Sequence, residues 1–162
     1  MTVLRWIVRV VLGVAVLAGV VFFGARFLDG PLGPIPGGAL VGGVMVSVPV
    51  ADWGFATDVP EIALQLESQS RSRTTWILVH EGKAYIPAST EYPPGKTWHR
   101  VALEDGRATL RIEGKRYRVT LAKVEDAATT SAVREVASRK YPKRPPGDAW
   151  LFEVTSRSGT AG

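Results

Sequence analysis

The sequence predicts an α+β fold that is mainly antiparallel β: a small barrel of six or seven strands with a helix before the last one, preceded by a single transmembrane helix. Three observations carry this. Residues Val10–Ala25 (VVLGVAVLAGVVFFGA) hold no charged or strongly polar side chain. Beyond residue 60, short alternating and β-branched runs are separated by Glu-Gly and Pro-Gly turns, with no βαβ alternation. A helical stretch opens at Asp126 and is followed by one more apolar run, AWLFEVT.

The apolar stretch reaches from Leu4 to Leu28, interrupted only by Arg5, Arg9 and Arg26. Crossing about 30 Å of hydrocarbon takes roughly 20 apolar residues in a helix. The stretch satisfies this if the three arginines extend their heads to the interfaces. Trp6 and Phe27 suit the headgroup layers. A buried core helix and a cleaved signal peptide compete with an anchor. The run is apolar on every side, unlike a surface helix, and no small-x-small cleavage site follows Phe23 (GARFLDG). Arg5, Arg9 and the amino terminus precede the span, whereas Arg26 after it is offset by Asp29. The expectation is a single-pass protein of the inner (plasma) membrane, N-terminus cytoplasmic, with its C-terminal domain periplasmic or extracytoplasmic.

Gly30–Gly43 (GPLGPIPGGALVGG) cannot continue a helix, because prolines lack the N–H and glycines resist ordering. It reads as an ordinary spacer leading to a first strand near Leu40–Val48. Asp52, Asp58 and Pro60 mark turns, and Trp53 and Phe55 read as plugs at one end of a core. Ile62, Leu64 and Leu66 alternate with more polar neighbours, as in a half-buried strand. Thr74–His80 (TTWILVH) is continuously apolar and reads as one central strand covered on both faces. Glu81-Gly82 turns it into a hairpin with Lys83–Pro87. Ala88–Lys96 is a loop stiffened by Pro93-Pro94-Gly95, and Thr97–Glu104 a two-turn helix. Thr109–Ile112 and Lys115–Val124 pair around Glu113-Gly114, with Tyr117, Val119 and Leu121 on one face. Asp126 sits where an N-cap belongs. Ala127–Lys140 is a helix with Val133, Val136, Ala137 and Tyr141 near one face and with Arg139 and Lys140 favourable in its last turn. Pro142, Pro145 and Pro146 stop it, and Ser156–Gly162 is expected to fray. The organisation is residues 1–29 as anchor, 30–38 as Gly/Pro linker, 39–156 as the barrel and 157–162 as a flexible tail.

Removing the first 29 of 162 residues leaves 133, enough for one domain with a real core. The net charge is +5, and the part after residue 29 holds 17 basic against 14 acidic side chains. Such a balance admits an anionic ligand or a lipid surface and does not by itself imply nucleic acid. With no Cys there are no disulfides, thiolate metal sites or thiol chemistry, and two histidines, His80 and His99, cannot build a His-rich metal site. No phosphate loop, nucleophile elbow or metal-ligand spacing occurs. Tyr117 between Arg116 and Arg118 lacks the aromatic series of a single-strand binder, so no nucleic-acid partner is expected.

From Arg71 to Asp126 the order of motifs forms a pattern. Arg71-Ser72-Arg73-Thr74-Thr75-Trp76 starts a strand and Val79–Ile86 (VHEGKAYI) is a hairpin. Lys96-Thr97-Trp98-His99-Arg100, Glu104–Ile112 (EDGRATLRI) and the Gly114-Lys115-Arg116-Tyr117 turn follow. This order resembles the split β-barrel proteins related to pyridoxamine 5′-phosphate oxidase, including their flavin- and deazaflavin-binding reductase branch, and the likeness covers about Leu40–Thr155. The resemblance implies a split β-barrel, dimerisation, and FMN or deazaflavin at the dimer interface. It implies phosphate contacts from Arg71, Arg73, Thr74, Thr75 and Lys96, with Trp98, His99 and Arg100 nearby. Guanidinium groups make bidentate charge-assisted bonds to phosphate, and a lysine adds a point charge. Glu81 and Glu91 would repel such a ligand, and a tethered extracytoplasmic domain has no easy supply of FMN or reduced deazaflavin.

Each of these residues also has a plainer reading. Arg71 and Arg73 fit a solvated strand end, Lys96 and Arg100 a polar loop and helix face. Trp98 and Trp76 fit a core, and His99, with no evident carboxylate partner, a structural role. The favoured function is accordingly a membrane-anchored, non-enzymatic accessory or docking subunit of a membrane complex, with lipid bilayer and either a second copy or a larger assembly as partners. The alternative is a flavin- or deazaflavin-dependent oxidoreductase or flavin-binding protein.

Overall fold

The structure, a computed structural model of the 162-residue chain, describes residues 2–90, 95–142 and 148–158. Its elements are α1 (Thr2–Gly24), β1 (Val44–Val46), β2 (Ile62–Leu66), β3 (Ser72–Thr75), β4 (Leu78–His80), β5 (Lys83–Ser89), α2 (Trp98–Glu104), β6 (Arg107–Ile112), β7 (Lys115–Lys123), α3 (Ala127–Lys140) and β8 (Ala149–Ser156). Among the described residues the strands form one sheet in the order β3-β2-β6-β7-β8-β5-β4, with β1 beside β7. The β1–β7 pair is parallel and the other pairings are antiparallel.

This order forces the sheet to curl. β3 and β4 lie at its two ends, yet only Trp76 and Ile77 separate them in the chain. Three residue steps reach at most about 11 Å, so the two edges face each other and the sheet is a split barrel. The expected central strand Thr74–His80 is therefore two edge strands joined by a bend. It is apolar for a different reason than burial between two layers: Ile77, fully buried, points into the barrel core, and Leu78, also fully buried, joins a second core outside it. The barrel core holds Leu64, Leu66, Ile86, Leu110, Val119 and Phe152. The second lies where α3 covers β4, β5 and β8, with Val133 and Ala137 against Leu78, Tyr85 and Leu151.

The local signals act as expected at several points. β2 buries Ile62, Leu64 and Leu66 in alternation, and β7 buries Tyr117, Val119 and Leu121. The two Glu-Gly turns have left-handed backbone at both residues, φ 50° and 74° at Glu81-Gly82 and 47° and 76° at Glu113-Gly114. Two-residue hairpins of this type require it. The Asp126 carboxylate accepts the Thr129 N–H at 2.6 Å and caps α3. Trp53 is buried against Tyr117 with ring centroids 5.6 Å apart, whereas Phe55, expected to be a second plug, is half exposed and stacks on both from outside.

Other parts depend on distant partners. The first strand shortens to β1 because Leu40 is buried separately, its N–H donating to Gln65 Oε1 at 2.7 Å. The Gly/Pro stretch is not a free spacer but a strap laid on β3. Gly37 N–H donates to the Ser72 carbonyl at 3.0 Å, Ser72 Oγ to Gly38 O at 2.6 Å, and Thr74 Oγ1 to Gly33 O at 2.6 Å. A Cβ on Gly37 would collide with the Gly30 carbonyl, which is why glycine stands there. Asp29 latches the strap: its carboxylate accepts from the N–H groups of Val41 and Gly42, each at 3.0 Å, and pairs with Arg111 of β6 at 2.9 Å. Lys140, expected only to complement the helix dipole, reaches out of α3 and donates to the carbonyls of Val59 at 2.7 Å and Ile77 at 2.9 Å. Ser156 Oγ accepts the Val50 N–H at 2.9 Å, and Arg157 donates to the Val119 carbonyl at 3.0 Å and pairs with Glu67, so both are tied to the barrel. Glu91, Pro93, Pro94, Pro145, Pro146 and residues 159–162 lie outside the described residues.

Helix α1 stands apart from the barrel cores. The stretch Val3–Phe27 is one helix long and apolar enough to cross a membrane, and its most apolar 18 residues, of mean hydropathy 2.5, are not buried in protein. Ala25, in the 3₁₀ turn Ala25–Phe27 that follows α1, is the point where the chain becomes buried.

Candidate functional site

Strand alternation divides the Arg71–Thr75 motif between two faces. Ser72 and Thr74 bind the strap, so the Thr74 hydroxyl is already engaged. Arg73 and Thr75 occupy the opposite face of β3. Arg73 reaches α2, its guanidinium carbon 5.6 Å from the centre of the Trp98 ring. Trp98 itself is buried and tilted against Phe152 at 5.6 Å. It serves as a floor beneath Arg73 and as part of the core, with that face of the indole taken. Thr75 is half-buried and pairs in register with Ile62.

The arginines keep donors unspent. Arg73 gives one terminal N–H to Gln69 Oε1 at 2.6 Å, and Arg71 gives one to the Pro36 carbonyl at 2.9 Å. The Nε atoms of both are buried with no hydrogen-bond partner among the described residues. Burial, with the Arg71 charge beside it, pushes the Arg73 guanidinium down to about 10, still a cation at neutral pH. Burial and the Arg73 charge likewise depress Lys96. Arg73 thus feels the repulsion of Arg71 and Lys96 that of Arg73, and the causes acting on Arg73 and Lys96 include no carboxylate. A cluster of cations without a carboxylate among these causes can bind an anion chemically.

His99 lies behind the cluster, edge-on to Trp150 at 5.0 Å. Its Nδ1 is buried without a partner among the described residues, and burial followed by the charges of Lys96 and Arg100 pushes its pKa down. Arg100 is exposed on α2. Glu81 sits in the β4–β5 turn next to Gly82, whose carbonyl accepts the Trp53 N–H at 2.8 Å. The structure therefore gathers Arg71, Arg73, Lys96 and Trp98, leaves Arg100 at their margin, and turns Thr74 away. No group of three or more His, Asp or Glu suited to a metal ion occurs among the described residues.

Sequence reasoning missed two further contacts. Arg26 lies over the Phe23 ring, its guanidinium carbon 5.0 Å from the centroid, and Arg71 lies 6.0 Å from the centroid of Phe22. The second contact ties the end of the apolar helix to the start of β3, and the first stays within the helix end. The only signal was that Arg26 follows the apolar run directly.

No protein-family model matches the chain, and no curated protein does. Among solved structures it is similar to a candidate pyridoxamine 5′-phosphate oxidase from Listeria innocua, at 11% identity over 60% of this chain and 82% of that one, with a TM-score of 0.45. A candidate general stress protein 26 from Jannaschia sp. CCS1 aligns at 17% identity over 64% and 70%, TM-score 0.47. A NimC/NimA family protein from Clostridium acetobutylicum aligns at 17% identity over 65% and 83%, TM-score 0.43.

Proposed function

We propose that this protein is a single-span, membrane-anchored binding module whose barrel takes a phosphate-bearing ligand at Arg71, Arg73 and Lys96. The observation that carries the reading is the pair of buried Nε donors without acceptors, beside a third cation. A phosphate supplies several acceptor oxygens and the opposite charge, and it meets guanidinium groups in bidentate geometry. Such a ligand leaves the fold's own hydrogen bonds intact, because each arginine already has its structural partner elsewhere.

FMN or a deazaflavin is the ligand class that the resemblance of Arg71–Asp126 suggests, and the donor set fits its phosphate. The ring finds no platform on Trp98, whose face carries Arg73. A flavin held here would supply hydride chemistry. Titrating full-length protein in detergent with FMN and following flavin fluorescence tests the reading. Saturable binding, weakened roughly tenfold or more in Arg73→Gln, is expected for loss of a charge-assisted bidentate contact. Absence of binding by FMN, a deazaflavin and inorganic phosphate alike overturns it.

A docking role in a membrane complex is the second reading, favoured by the Asp29 latch. The carboxylate links the residues after α1 to both the strap and β6, so the barrel is held close to the end of the helix instead of swinging on a spacer. Gentle detergent extraction followed by cross-linking tests it; a stable partner or a homodimer is expected, and recovery of monomer alone contradicts it. The anchor and its orientation, N-terminus cytoplasmic, rest on α1 and the Arg5 and Arg9 charges. Retention of the chain in alkali-washed membranes is the expected result.

A further inference from the structure

Where α1 meets the barrel there is an open groove of about 250 Å³, lined by Gly19, Phe22, Phe23, Arg26 and Arg71. Its lower part is apolar and its rim carries two guanidinium groups, one from the helix end and one from the start of β3. We infer that this groove holds an anionic phospholipid, its phosphate between Arg26 and Arg71 and the upper part of its acyl chain along Gly19, Phe22 and Phe23. The inference rests on α1 spanning the membrane.

Depth and charge both fit. Arg26 lies seven positions after Gly19, about 10 Å of helix at 1.5 Å per residue. The charged rim therefore sits at headgroup level when the apolar stretch is in hydrocarbon, and the groove below it lies among acyl chains. Gly19 leaves room, since nothing lies within 4 Å of a Cβ built there. Arg26 is exposed, and its guanidinium rests on Phe23 without a carboxylate partner among the described residues. Arg71 lines the same groove, its guanidinium carbon 6.0 Å from the centre of the Phe22 ring. Asp29, three residues after Arg26, is occupied by Arg111 and by the N–H groups of Val41 and Gly42, so it does not neutralise the rim. Arg73 and Lys96 add positive potential behind Arg71. Each cation at an anionic surface strengthens attachment, roughly fivefold apiece. Arg5 and Arg9 at the other end also line a groove, with Leu4 and Val8, but both come from one helix and no second element among the described residues lines it.

The test is photolabelling of the full chain in nanodiscs. One set contains photoactivatable phosphatidylglycerol in phosphatidylcholine, the other photoactivatable phosphatidylcholine, and adducts are mapped by peptide. The expected result is preferential phosphatidylglycerol adducts on the peptides holding Phe22–Arg26 and Arg71, reduced roughly fivefold in Arg26→Gln and further in Arg26→Gln/Arg71→Gln, with Arg9→Gln unchanged at these peptides. Arg26→Gln removes no barrel contact, so it keeps the test valid should the Arg71 variant fail to fold. Equal labelling by both lipids, or labelling indifferent to Arg26, overturns the inference while leaving the span intact. Labelling abolished by excess inorganic phosphate assigns the site to a free anion and likewise overturns it. A chain that alkali strips from membranes removes the span and this inference together.

Discussion

Two partly buried cationic sites in this barrel look alike in the sequence and differ in what surrounds them. At one end Lys140 leaves α3 and gives its ammonium hydrogens to the carbonyls of Val59 and Ile77, with that of Ala56 at 3.5 Å. Burial lowers its pKa, and Asp58 partly restores it. Tyr141 next to it stacks on Trp76 at 4.2 Å. At the other end Arg73 is repelled by Arg71 and Lys96 by Arg73, and two Nε atoms have no acceptor among the described residues. The first site closes the barrel by tying α3 to the bend between β3 and β4. The second leaves donors over. A buried charge whose bonds are complete belongs to the fold, and one whose bonds are incomplete points to a ligand.

Replacing each cation by methionine breaks the comparison most sharply. Lys140→Met strips charged hydrogen bonds from carbonyls around the bend and is expected to destabilise the barrel by about 2–4 kcal/mol, measured by denaturant unfolding, with ligand affinity of the folded fraction unchanged. Arg73→Met keeps an apolar stem over Trp98 and removes a repelled charge. Stability is expected to stay level or to rise by about 1 kcal/mol, while phosphate-ligand affinity falls roughly tenfold or more. If both substitutions destabilise equally, the two sites do not differ in kind.

The strap sharpens the contrast at smaller amplitude. Asp29→Asn keeps the shape of the latch and loses its charge, for an expected cost of about 1 kcal/mol. The same bond carries a pH dependence. Burial pushes the Asp29 carboxyl up, but the N–H groups of Val41 and Gly42 and the Arg111 charge outweigh it and leave the pKa below its ordinary 3.8. A carboxyl depressed on folding stabilises above its unfolded pKa, and that contribution fades as pH falls through the folded one. The amide chemical shifts of Val41 and Gly42 are therefore expected to titrate with a midpoint below 3.8, and in Asp29→Asn that transition is absent.

Much of this was written locally. The Glu81-Gly82 and Glu113-Gly114 turns, the alternation in β2 and β7, and the Asp126 cap are all decided within a few residues. The bend at Trp76-Ile77 was not, because Ile77 and Leu78 are apolar for two different cores and a single strand shows the same run. The strap escaped because its bonds reach 34 residues to Ser72 and 41 to Thr74. At the site, the resemblance implied phosphate contacts from Arg71, Arg73 and Lys96, and the structure brings these three side chains near one another. The turning away of Thr74, the covering of Trp98 and the part played by Arg26 depend on how α2 and α1 pack, which no local spacing encodes.

The claim that the Arg71, Arg73 and Lys96 cluster is an anion site is tested most directly by thermal unfolding of the full chain with FMN and with inorganic phosphate, in wild type and in Arg73→Met. A ligand near 100 times its Kd stabilises the folded state by about 2.7 kcal/mol, so the account predicts a clear rise in Tm for the wild type and little or none for the variant. No rise in the wild type with either anion, or an equal rise in both proteins, would contradict it.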